Sequence, residues 1–177
     1  NVAPKEKEVK LTVTQKRQQE LLAKLEKDSL KRERERLALK NKQLATDKAK
    51  AIIAKGESAL LKGESVFDLD KIQIAAALTS QAEALGKATS AAQLMQIAND
   101  TARLNVKKSM LALEDAIASK DEAAIISATA RLNADLKLLG ALSGQNVKLQ
   151  DIKSILDSLK PKDLIDQANL DEALRKI

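Results

Sequence analysis

The chain reads as an all-α protein: a long helical hairpin with shorter helices packed beside it, an elongated bundle with coiled-coil character. Three observations predict this. The only prolines in 177 residues are Pro4 and Pro161, so nothing between them forbids helix. Leu and Ile recur at helical spacing through most of that stretch. Charged residues make up 32% and aromatics 1%, and the remainder is rich in Leu, Ala and Gln, the vocabulary of long helices. An Ala and Leu core without aromatics is thin, which favours long helices side by side over a compact globule.

The elements follow in order. Residues 1–10 are polar and read as a loose N-terminus. Thr12 or Thr14 is placed to cap a first helix through QKRQQELLAKLEKDSLKRERERLALKNKQLATDKAKAIIAKGESALL. Leu30, Leu37, Leu44 and Ala51 recur every seven residues, one line along a helix. The complementary seam holds Glu33, Lys40 and Asp47, so this is no strict two-stranded zipper but a helix with a narrow apolar stripe. KGESALL from Lys55 and KGESVFD from Lys62 form a short repeat. Its glycines, Gly56 and Gly63, mark a bend, a close helix contact or a hairpin turn. A turn or bend is expected within 45–66.

A second periodic stretch covers 68–98, with Leu69, Ile72, Ala76, Leu78, Ala82 and Leu85 as its apolar face. Gly86 and Thr89–Ser90 interrupt it mildly. Helix resumes from about Ala91 to Ser119, carrying Leu94, Ile97, Leu104, Met110, Leu111 and Leu113. Ser119 or Asp121 caps the next helix, 122–139, with Glu122 on the favourable side of its dipole. That helix carries Ile125, Ile126, Leu132, Leu136 and Leu139, and Gly140 and Gly144 read as stop signals. The core with its long hairpin therefore spans 11–140. A linker with one short helix, VKLQDIKSILDSL, spans 141–162. The last piece, 163–177, is an amphipathic helix with Leu170, Leu174 and Ile177 at i, i+4 and i+7. These last pieces read as an appended tail, and Leu170, Leu174 and Ile177 as its partner-binding residues.

The chain has no His, Cys, Trp or Tyr, and one Phe. Zinc sites of the Cys and His type, His-based triads, Cys nucleophiles and aromatic base-stacking platforms are therefore excluded. Carboxylate pairs such as Asp68 with Asp70 read as solvated surface, because acid–base work needs a closed pocket. DLDK lacks the glycine and distal glutamate of a calcium loop. The KGES segments do not match a phosphate-binding loop. No cofactor, metal or catalytic residue is expected, and the protein reads as a non-enzyme.

Charge is uneven. Residues 1–55 hold 16 Lys and Arg against 8 Asp and Glu, while the whole chain is +6. The candidate basic residues are Lys16, Arg17, Lys24, Lys27, Lys31, Arg32, Arg34, Arg36, Lys40 and Lys42. Such a segment suits an anionic lipid surface or nucleic acid. Glu33 and Glu35 interleave with the arginines and weaken a phosphate-tracking stripe. No stretch approaches the roughly 18–20 apolar residues needed to cross a bilayer. The chain opens at Asn1 without a Met, as a trimmed fragment would, and no signal-peptide pattern follows.

Several segments resemble the ESCRT-III family, the charged multivesicular body proteins, and most closely the branch that regulates the disassembly ATPase. LLAKLEKDSLKRERERLALKNKQ is similar to that branch's first helix. DKAKAIIAKGESALLKGESV sits where the family has its hairpin turn and the start of its second long helix. SMLALEDAIASKDEAAIISATARLNADL resembles the third and fourth helices. The terminal LDEALRKI resembles the motif that binds MIT domains, departing from it at Ala173 and Ile177. The resemblance covers roughly residues 10–140 and the last eight. It implies a cytoplasmic protein, peripheral at membranes, that assembles with copies of itself into a polymer, remodels an anionic membrane and engages an MIT-domain ATPase. The alternative is a coiled-coil scaffold or DNA-associated assembly protein, such as a phage packaging or structural subunit. A third reading is a secreted helical adhesin or pilus-type subunit.

Overall fold

The computed structural model describes residues 2–61, 66–144 and 146–159, with side chains described from Thr12 onward. Five α-helices run in order: α1 (Val2–Leu61), α2 (Lys71–Lys87), α3 (Ala91–Ser119), α4 (Glu122–Leu142) and α5 (Leu149–Ser158). One turn of 3-10 helix, Val66–Asp68, precedes α2. The described residues contain no strand, and the fold is all-α. The chain forms two compact units, Asn1–Leu44 and Ala45–Ile177. The first is α1 up to Leu44. The second holds the rest of α1 and α2 to α5.

Helix α1 starts at Val2, ahead of the Thr12 or Thr14 cap that the sequence suggests. Pro4 falls in its first turn, where a missing N–H removes no intrahelical bond. The helix ends at Leu61, inside the 45–66 window expected to hold a turn or bend. Gly63 lies outside the described residues. Gly56 stays within the helix and is buried, so it makes neither the turn nor the stop. A Cβ there would sit 2.7 Å from Met110 Sδ and 3.1 Å from Met110 Cγ. Of the three readings of this glycine, close helix contact holds. Gly56→Leu is expected to destabilise the second unit by about 1–3 kcal/mol through overpacking. Adding Met110→Ala should recover part of that loss in a urea-unfolding double-mutant cycle.

Helix α2 opens on a capping box. Asp70 accepts from the Gln73 N–H at 2.8 Å, and the Gln73 side chain accepts from the Asp70 N–H at 3.0 Å. Its buried residues are Ile74, Ala82 and Leu85, with Leu78 half-buried. This corrects the apolar face expected from sequence: Ile72 is 81% exposed and Ala76 is exposed. Positions 74, 78, 82 and 85 follow one side of a 3.6-residue helix, and Ile72 lies well round from it. The break at Thr89–Ser90 is complete, because Ser90 accepts from the Gln93 N–H at 3.2 Å and starts α3.

Helix α3 is the central element, buried along its length from Leu94 to Ala116. It ends at Lys120, which adopts the left-handed conformation with φ 58°. Asp121 then caps α4, accepting from the N–H groups of Ala123 and Ala124 at 3.1 and 3.4 Å. This tight connection folds α4 back onto α3. Ile125, Leu132 and Leu139, spaced by sevens, face the core, while Ile126 is exposed. Gly140 does not stop the helix, which continues to Leu142. The reason is packing: Leu142 is buried in the same core. Helix α5 contributes Ile152, Ile155 and Leu156, and Leu159 follows, all within that core. The segment read as an appended piece is thus part of the bundle.

The core holds one polar link between α3 and α4, the buried Ser109 hydroxyl donating to Asp135. Burial raises the Asp135 carboxyl above its ordinary value, while the Ser109 hydrogen bond and the charges of Arg131 and Lys108 pull it down. A folded-state value above the unfolded one means that the native chain holds this proton more tightly. The associated stability is full below about pH 4 and is lost as pH rises through the folded value. Asp135→Asn keeps an acceptor for Ser109 and removes the half-buried charge. It is expected to raise the urea midpoint at pH 7, with the gain vanishing near pH 3.

Candidate functional site

All ten candidate basic residues lie on α1 within the first unit. Nine are exposed and Lys42 is half-buried. The helix places them unevenly around its axis. At 3.6 residues per turn, Lys16, Arg17, Lys24, Lys27, Lys31, Arg34 and Lys42 fall within one arc of about 100°. Arg32, Arg36 and Lys40 fall elsewhere. Glu20 and Glu35 are the acidic residues on the arc, so seven positive charges face two negative ones there.

The leucines take the other side. Leu21, Leu22, Leu25, Leu30, Leu37, Leu39 and Leu44 all lie on the half-turn that excludes the basic arc. Each is exposed, Leu37 at 58% and Leu39 at 69%. Outside the basic arc the charges balance, with Arg32, Arg36 and Lys40 against Glu26, Asp28 and Glu33. The whole positive excess of residues 12–44 therefore sits on the arc. The interleaving of charges hides this in a linear reading, where Arg32, Arg34 and Arg36 look like one cluster. Placing each residue by its helical angle separates Arg34 from the other two.

A helix in water gains little from propensity alone, and most helical stability in proteins comes from packing an apolar side. Among the described residues of its own unit, α1 leaves all seven leucines from Leu21 to Leu44 exposed. An exposed leucine side gains from being covered, and a cationic side attracts negative charge.

Among the described residues, no group of three or more acidic side chains is arranged to hold a metal ion. No described helix is long and apolar enough to cross a membrane. Leu170, Leu174 and Ile177 lie outside the described residues. No family model matches the chain, and no curated protein or solved structure matches it either.

Proposed function

We propose that this chain is a non-enzymatic helical subunit that assembles with copies of itself and binds and remodels an anionic membrane as a polymer. One observation carries the reading: in α1 the exposed leucines and the positive excess occupy different sides of a single helix. The leucine side takes a second copy, and the basic arc then remains free to face lipid headgroups. Each basic residue near an anionic surface contributes roughly 1 kcal/mol, and assembly multiplies that attraction through avidity. The non-enzymatic part rests on composition, since without His or Cys the common nucleophile and base pairings are missing. A membrane is favoured over duplex DNA because Glu20 and Glu35 interrupt the arc, which a diffuse headgroup layer tolerates better than a fixed phosphate track. An MIT-domain ATPase is the trans-acting partner that the family resemblance implies.

The test is co-sedimentation with phosphatidylserine vesicles and with duplex DNA side by side, followed by negative-stain imaging. Leu30→Gln, Leu37→Gln and Leu44→Gln together are expected to lower the sedimentation coefficient and remove filaments or rings. Helicity of the second unit should be kept. A chain that is monomeric before these changes, or that pellets with DNA and not with vesicles, would sink the reading.

A further inference from the structure

A cleft of about 300 Å³ opens where α2, α3, α4 and the end of α5 meet. Its hydroxyl protons are already used. Thr79 donates to the Ala75 carbonyl at 3.0 Å, Ser158 to the Ile155 carbonyl at 2.6 Å, and Ser109 to Asp135. Asn105 donates its amide to Ser158 at 3.1 Å. Three charged groups line the same cleft: Lys108 from α3, with Arg131 and Asp135 from α4. Among the described residues, Lys108 and Arg131 act on Asp135 by charge and not by a hydrogen bond. Asp135 uses one oxygen for Ser109 and keeps the other.

We infer that this cleft binds a small amino-carboxylate, its ammonium taken by Asp135 and its carboxylate by Lys108 and Arg131. Simple ions fit the array poorly. A lone anion meets the Asp135 carboxylate, and a lone cation meets the two basic side chains. A molecule carrying both charges answers all three groups. A cleft of about 300 Å³ lies at the small end of the range for small-molecule sites, which suits an amino acid of modest size. Burial of Asp135 supplies the incentive on the acidic side, since an ammonium partner would relieve a carboxylate that the fold holds in an unfavourable setting. This inference is independent of the reading of α1.

The test is an amide NMR titration of the full chain at pH 7 with glycine and with L-serine. Acetate and methylammonium serve as single-charge controls. The amino acids are expected to give saturable shifts at residues 105–109 and 131–135 at millimolar concentration. Asp135→Asn and Arg131→Gln should each weaken binding at least tenfold. Saturating glycine should also lower the titration midpoint of the Asp135 carboxyl. Absence of a saturable shift overturns the inference. So does acetate binding as tightly as glycine and undiminished by Asp135→Asn, because the cleft would then be a basic patch without use for its acid.

Discussion

Reversing Lys27, Lys31 and Arg34 to Glu is expected to abolish pelleting with anionic vesicles at 0.15 M salt. Reversing Arg32, Arg36 and Lys40 to Glu should leave most of it. The two triple variants change net charge equally, so only position separates them. The first triple removes three contacts worth roughly 1 kcal/mol each and places three negative charges on the same arc. A loss of at least about 3 kcal/mol is more than a hundredfold in affinity. The second triple alters the half of α1 that carries the leucines, which on the proposed reading takes a second copy instead of lipid. Unaltered α1 should also bind more weakly as the Debye length falls from about 30 Å at 0.01 M to about 8 Å at 0.15 M salt. Equal losses from the two triples would mean that net charge, and not the arc, governs attachment.

Much of the helix content was legible because its signals are local. The run without proline, the Asp121 cap and the helical spacing of Ile125, Leu132 and Leu139 each act within a few turns. What the sequence hid depends on tertiary contact. Ile72 and Ile74 are both β-branched and two residues apart, and only the direction in which α3 lies decides that Ile74 is buried. Gly140 looks like a stop signal until Leu142 is seen to anchor one more half-turn. Gly56 admits three readings until Met110 is placed against it. The basic candidates were all identifiable by type, yet their division into an arc and a balanced half required the helix to be continuous from Lys16 to Lys42. The cleft at Asp135 had no sequence signal, since its groups come from four helices separated by up to tens of residues.

The division of the chain into two units predicts opposite responses to the same substitution. Leu132→Ala is expected to cost about 2–5 kcal/mol, because Leu132 is 0% exposed in the core shared by α3, α4 and α5. Against a typical stability of about 5–15 kcal/mol, that is enough to leave the second unit marginal or partly unfolded at 37 °C. Leu37→Ala removes the same atoms from a side chain that is 58% exposed and improves local helix propensity. It should leave the urea midpoint of the second unit unchanged while weakening self-association in sedimentation velocity. Stability and assembly would thus be set by leucines on different units of one chain. If Leu37→Ala shifts the urea midpoint as Leu132→Ala does, then α1 is covered within the monomer, and its leucines are core rather than interface.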